Sequence, residues 1–318
     1  MTLLMLIGGF ILLTFGASQL VDGAASVARR YGISSLVIGL TVVAFGTSMP
    51  ELVVNVVSAI QGTTDIAIGN VLGSNIFNIF AILGLSALIR RLPVQESTVK
   101  KEIPMSLIAA LILFPLGASF LSLPLDGPDP SSLGRIDGII LLLFFVYFLR
   151  YTFKTARSGT DEGEPMRVYG VPRSIAMIVA GLTMLVFGGK FLVDAAVEIA
   201  RYFGMTERVI GLTIVAAGTS LPELATSMVA AYKKNADIAI GNIVGSNIFN
   251  IFLILGLSSV IRPLPFSDGT MIDLSVTALA SMVLFALVYR HHDRRLGKRD
   301  GTILFVCYCL YVSFLMAG

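Results

Sequence analysis

The chain has 318 residues, of which 55% are hydrophobic and only 14% charged, with a mean hydropathy of +0.86. A soluble domain carries nearer 25% charged residues, so this composition excludes a water-soluble globular fold. The net charge of +3 sits in short loops and gives no reason to expect a nucleic-acid partner.

Apolar runs near the ~20 residues that a bilayer crossing needs follow one another along the whole chain and leave no room for a separate soluble domain. The first, 2–22, opens with MTLLMLIGGF, which has no basic n-region and no small-residue cleavage site, and reads as a span and not a removable signal. The second, 33–59, contains GTSMPELVVN, whose Gly and Pro predict a broken helix. The third (66–89), fourth (103–123) and fifth (134–153) read as plain helices. A hydrophilic stretch at 154–172 follows, mixed in charge and holding Gly and Pro, and is expected to be a flexible linker. Spans six to ten lie at 173–199, 208–231, 238–261, 271–290 and 302–317; the seventh, with GTSLPELATS, is again predicted to be broken, and the others read as plain helices. Cys307 and Cys309 both fall in the last run, so neither a disulfide nor a zinc framework is implied.

The linker separates two copies of one unit, 1–153 and 173–318. VIGLTVVAFGTSMPEL (37–52) matches VIGLTIVAAGTSLPEL (209–224), and DIAIGNVLGSNIFNIFAILGL (65–85) matches DIAIGNIVGSNIFNIFLILGL (237–257). One constant offset aligns 37–85 with 209–257 without gaps, and about two residues in three are identical. Five spans per unit is an odd number, so the second copy runs through the membrane upside down. The expected fold class is therefore an all-α polytopic membrane protein of ten transmembrane helices in two inverted five-helix repeats, with interrupted helices at a central ion site. Lys and Arg gather after odd-numbered spans, for example Arg29, Arg90, Lys100, Arg150, Lys233 and Arg294. The positive-inside rule then puts those loops in the cytoplasm and both termini outside. A prokaryotic inner membrane suits so compact a chain, working as a monomer.

The chemistry follows from the repeated polar residues. Pro50 and Pro222 have no N–H to donate, which frees the carbonyls of Gly46 and Gly218 from the helix ladder. Thr47 and Glu51 share a helix face at a spacing of four, as do Thr219 and Glu223, and Ser48 and Ser220 add hydroxyls. Ser74 and Asn78, with Ser246 and Asn250, supply neutral oxygens at the same spacing, while Asn75 and Asn247 fall on another face and are expected to bond backbone. Oxygen ligands without thiolate or imidazole select hard cations. A carboxylate inside a membrane costs about 2.5–3.5 kcal/mol, so two Glu residues brought together make a site that is stable mainly when a cation or proton lies between them. Two structural Glu residues, each bonded to a neighbouring helix, are the competing account.

The motifs GTS-x-PE-L and GN-xx-GSNIFNI, each present twice, resemble the α-repeats of the calcium/cation antiporter superfamily, especially its sodium/calcium exchanger branch. With the ten-span layout the resemblance covers nearly the whole chain. It implies alternating access in which Na+ is exchanged for Ca2+, with these ions and the lipid bilayer as partners and no cofactor. It implies that Glu51 and Glu223 bind Ca2+, aided by the carbonyls of Thr47 and Thr219. Na+ sites would draw on Thr47, Ser48, Ser74, Thr219, Ser220, Ser246 and backbone oxygens near Ala44 and Ala216, with Asn78 and Asn250 completing the centre. Some members, the potassium-dependent branch among them, carry an acid in place of Asn250, so K+ co-transport is not expected here and the Na+ stoichiometry is open. H+/Ca2+ exchange through the same Glu pair is the alternative coupling. An intramembrane enzyme is disfavoured, because no His or Lys accompanies the motif serines.

Other polar residues receive structural readings. Lys190 and Asp194, one turn apart, are expected to pair with each other, and Asp22 to be structural. Asp65 and Asp237 are candidate helix caps. His291 and His292 belong to a solvated basic loop. Gly69, Gly73, Gly241 and Gly245 allow close helix approach, and Phe77, Phe80, Phe249 and Phe252 are packing residues.

Overall fold

The computed structural model describes residues 1–117, 132–156, 168–204, 216–266, 268–290 and 293–317. The start of the seventh span (208–215), most of the 154–172 linker, the end of the fourth span, His291, His292 and the side chain of Asp65 lie outside the described residues.

Ten helical segments carry the described chain. The first repeat contains α1 (Thr2–Tyr31), the bent α2 (Ser35–Thr47 and Met49–Gln61), α3 (Thr64–Ile76 continuing through Phe77–Leu83 and Gly84–Ile89), α4 (Thr98–Glu102 and Ile103–Gly117) and α5 (Arg135–Thr155). The second contains α6 (Val171–Tyr202), α7 (Ala216–Thr219 and Leu221–Tyr232), α8 (Ala236–Ile248 continuing through Phe249–Leu255 and Gly256–Ile261), α9 (Asp268–Arg290) and α10 (Lys298–Ala317). Among the described residues, seven helices are long and apolar enough to cross a membrane singly, and the bent α2 makes an eighth.

The inversion is visible in which loops meet. The turn after α3 pairs with the turn after α9 through an antiparallel ribbon, Leu92–Pro93 against Arg295–Leu296. The segment before α5 pairs with the turn after α8, Ser132–Leu133 against Leu264–Pro265. Ser34, between α1 and α2, donates its N–H to the Ala156 carbonyl at the end of α5, and Gln95, after α3, donates to Asp237, after α7. Turns after odd-numbered helices thus contact one another, as do turns after even-numbered ones. Lys233 at the end of α7 bridges to Asp22 of α1 at 2.7 Å, which gives Asp22 the structural role expected of it.

Helix α1 runs well past the predicted 2–22. Thirty residues extend about 45 Å against a hydrocarbon core of about 30 Å. It continues because Gly23, Ala24, Ala25 and Ala28 keep burying small faces, and it stops where Gly32 takes φ 61° and caps the last turn. Glycines at seven-residue spacing bring α1 and α6 together antiparallel. A Cβ on Gly16 would lie 2.9 Å from the Gly181 carbonyl, and one on Gly9 would lie 2.9 Å from that of Gly188. Gly241 and Gly245 let α8 press on α2 in the same way, with the Leu36 and Leu40 carbonyls 2.8 and 2.7 Å from the positions of their absent Cβ atoms. Around this frame α3 and α8 form the buried centre, while α5, α6 and α10 present most of their surface outward.

Three expectations are corrected. Helices α3 and α8 are not plain: Phe77–Leu83 and Phe249–Leu255 are π-helical, which no hydropathy pattern signals because the widened turn answers to tertiary contacts. Lys190 and Asp194 are both exposed, and among the described residues no ion pair joins them, since an exposed pair loses in side-chain entropy most of what it gains. The cap of α8 is Asn235, whose side chain accepts from the Ile238 N–H, and Asp237 sits inside the first turn. The four predicted packing phenylalanines do pack; Phe249, for example, contacts Phe145 edge-on at 4.9 Å.

Candidate ion-binding centre

Each interrupted helix positions its Glu by the same local chemistry. Ser48 and Ser220 stand at the breaks, Pro50 and Pro222 occupy the first turn of the second half-helix, and Glu51 and Glu223 follow in that turn. Proline is tolerated there because the first N–H groups have no helical partner. The two halves of α2 meet at 48°. The positive end of the second half-helix favours the carboxylate, and the negative end of the first favours a cation.

Both Glu side chains are 0% exposed. Each is held across the repeat boundary: Ser48 donates to Glu223 Oε1 at 2.8 Å, and Ser220 donates to Glu51 Oε1 at 2.9 Å. The serine of the neighbouring helix in the same repeat adds a longer contact, from Ser74 to Glu51 Oε1 at 3.5 Å and from Ser246 to Glu223 Oε1 at 3.4 Å. Ser220 also reaches Ser74 at 3.0 Å. One oxygen of each carboxylate is therefore anchored. The other, Oε2, is buried with no hydrogen-bond partner among the described residues.

A square of amides lies beside them. Asn75 Nδ2 donates to the Asn247 carbonyl at 3.3 Å, and Asn247 Nδ2 donates to the Asn75 carbonyl at 3.4 Å. A carbonyl only accepts, so these bonds fix which way both amides point. Asn75 Oδ1 then accepts from Asn250 Nδ2, and Asn247 Oδ1 from Asn78 Nδ2, each at 2.9 Å. That turns the Oδ1 atoms of Asn78 and Asn250 away from the square, where they too are buried without a partner among the described residues. The centre thus holds a two-fold arrangement of four buried acceptor oxygens, two carboxylate and two amide.

The remaining predicted residues frame this set. Thr47 Oγ1 donates to Asn242 Oδ1 at 3.0 Å, and Thr219 Oγ1 to Asn70 Oδ1 at 3.2 Å. Asn242 in turn donates to Ser227 at 2.9 Å and to the Glu223 carbonyl at 3.4 Å. The Ala44 carbonyl accepts from the Ser48 N–H at 3.0 Å and lies 3.3 Å from the Thr47 hydroxyl, whose one hydrogen has its shorter contact with Asn242. Ala216 begins the short half-helix of α7, and its side chain lies outside the description. Sequence reasoning missed Asn70 and Asn242, although the constant offset of the repeat relates them, and it gave Asn75 and Asn247 only their backbone bonds.

The sodium/calcium exchanger protein family matches residues 1–154 and 173–317. The chain belongs to that family. Inner membrane protein YrbG of Escherichia coli K12 is 36% identical over 98% of this chain and 95% of its own. Sodium/calcium exchanger MaX1 of Methanosarcina acetivorans is 30% identical over 98% and 97%. Among solved structures, the sodium-calcium exchanger NCX_Mj soaked with zero Na+ and Ca2+ aligns with a TM-score of 0.84 at 30% identity, over 98% of each chain. This chain is accordingly a multi-pass membrane transporter of the exchanger family.

Proposed function

We propose that this member of the family exchanges Na+ for Ca2+ by alternating access, with both ions competing for one centre. The observation that carries the reading is the set of four buried acceptor oxygens, Glu51 Oε2, Glu223 Oε2, Asn78 Oδ1 and Asn250 Oδ1, to which no described residue donates. An unsatisfied buried polar atom costs about 1–3 kcal/mol, and more when charged, and a cation satisfies several at once. Two carboxylates balance one Ca2+, and hard oxygens from four side chains suit its coordination. Ser48, Ser74, Ser220 and Ser246 hold the carboxylates and offer their lone pairs to Na+, together with the Thr47 and Thr219 carbonyls and the backbone near Ala44 and Ala216. A cation that binds the centre neutralises the pair that binds its competitor, which couples opposite fluxes when the site opens alternately to the two sides.

The basic loops face the cytoplasm of a cell membrane, with both termini outside. The chain works as a monomer, since both halves of the centre come from one chain. A second reading, H+/Ca2+ exchange, draws on the same observation, because a proton on either Oε2 supplies one missing donor. Uptake of ⁴⁵Ca2+ into proteoliposomes separates the two. An outward Na+ gradient drives uptake if Na+ is the counter-ion, an outward H+ gradient alone drives it in the second case, and uptake under neither refutes Ca2+ antiport.

A further inference from the structure

Away from the ion centre, the basic face of the protein carries a site of a different kind. The ribbon of Leu92–Pro93 and Arg295–Leu296 draws the turns after α3 and α9 together. Most charges there are matched: Glu96 pairs with Lys100 and Arg294, and Asp293 pairs with Arg295. Arg290 touches the buried Asp300 at 3.3 Å through one Nη, yet its side chain stays 63% exposed, leaving the rest of its guanidinium turned outward. Arg299, one residue before Asp300, is exposed and has no acidic partner among the described residues.

These two guanidiniums line a cleft of about 370 Å³ between α9 and α10, walled by Thr302 and Ile303. Below it the outer flank of α10 is apolar and open: Ile303, Val306 and Leu310 are 42%, 48% and 65% exposed. Residues 299, 303, 306 and 310 recur at helical spacing and share one face. Two cationic forks therefore stand at one end of an apolar stripe.

We propose that this cleft binds an anionic phospholipid, with its phosphate between Arg290 and Arg299 and an acyl chain along Ile303, Val306 and Leu310. Guanidinium matches the geometry of a phosphate and is the less hydrated of the two basic side chains. Basic pockets between helices on the cytoplasmic side are where anionic headgroups bind. A free phosphate would gain nothing from the stripe, which is why the lipid is the occupant. Packing within the repeat does not explain Arg299. Gly134-Arg135-Ile136-Asp137-Gly138 at the start of α5 is the counterpart of Gly297-Lys298-Arg299-Asp300-Gly301 at the start of α10, and in both the Asp accepts from the Gly N–H at 2.8 Å. Yet Ile136 stands where Arg299 does, so the second guanidinium belongs to this face alone.

Native mass spectrometry of the detergent-solubilised protein tests the proposal. It is titrated with phosphatidylglycerol, with phosphatidylcholine of the same chains, and with phosphatidylglycerol in the presence of inorganic phosphate. The wild type binds one phosphatidylglycerol at least about tenfold more tightly than phosphatidylcholine, the weight of one charge-assisted contact. Arg299→Gln removes that preference, and Arg299→Lys, which keeps the charge without the fork, falls between. Arg30→Gln, an equal loss of charge at the exposed end of α1, leaves it unchanged. Phosphatidylglycerol binding that is the same in wild type and Arg299→Gln overturns the proposal, as does equal affinity for the two lipids. Full displacement by millimolar inorganic phosphate also overturns it, by marking a free-anion site.

Discussion

Replacing Asn75 with alanine removes a side chain that the bound ion need not touch. The substitution deletes the bond from Asn75 Nδ2 to the Asn247 carbonyl and the 2.9 Å bond that Asn75 Oδ1 accepts from Asn250. The second bond is what keeps Asn250 from turning its amide over and presenting Nδ2 to the cation. Side-chain hydrogen bonds inside membrane proteins are worth about 0.6 kcal/mol on average and about 1.7 at most. Holding Asn250 Oδ1 toward the ion without that bond costs this amount at each binding event, so Ca2+ affinity should fall about three- to twentyfold. Asn247→Ala should do the same through Asn78. The assay is calorimetric titration of Ca2+ into purified protein, run as a double-mutant cycle with Asn250→Ala. Once Asn250 is gone, Asn75→Ala should weaken binding no further. Wild-type affinity in Asn75→Ala, or an effect that simply adds to that of Asn250→Ala, would refute the amide relay.

Glu51→Gln or Glu223→Gln keeps the shape but removes half the negative charge of the centre, so Ca2+ uptake into proteoliposomes should drop at least about 100-fold, with an unchanged elution profile on size exclusion; substantial exchange in both variants would refute their role. Gly16→Leu drives a side chain into α6, because a Cβ at Gly16 would stand 2.8 Å from the Met184 Cβ and 2.9 Å from the Gly181 carbonyl. Overpacking of this kind costs about 1–3 kcal/mol and should lower the melting temperature in detergent, whereas Gly8→Leu, with nothing within 4 Å among the described residues, should not. Hydrogen bonds and charge from Lys100 and Arg294 hold the Glu96 carboxyl at about 2, below its usual 4.5. A depressed carboxylate stabilises the fold above its unfolded pKa and ceases to as pH falls through its folded one. The advantage of wild type over Glu96→Gln in melting temperature should therefore be full above pH 4.5 and shrink between 4.5 and 2.

Membrane embedding, two inverted copies and two broken helices were legible in the amino-acid sequence because each has a local cause. Apolar runs must cross a bilayer, an odd number of spans must invert a duplicated unit, and Pro50 and Pro222 cannot complete a helix ladder. The Glu, Ser and Asn residues proposed for the centre stood out for a related reason: polar groups repeated at one offset inside lipid are costly unless something satisfies them. What only the tertiary structure decided is which oxygens are free. Ser48 and Ser220 each serve the Glu of the opposite repeat, and Asn75 and Asn247 fix the amides of Asn250 and Asn78, contacts between residues more than 160 positions apart. Such pairings leave no periodicity in the chain, because they depend on how two half-molecules meet across a pseudo-two-fold axis. The π-helical turns of α3 and α8, the separation of Lys190 from Asp194 and the cap at Asn235 were hidden likewise, since each is a choice between local options of nearly equal energy.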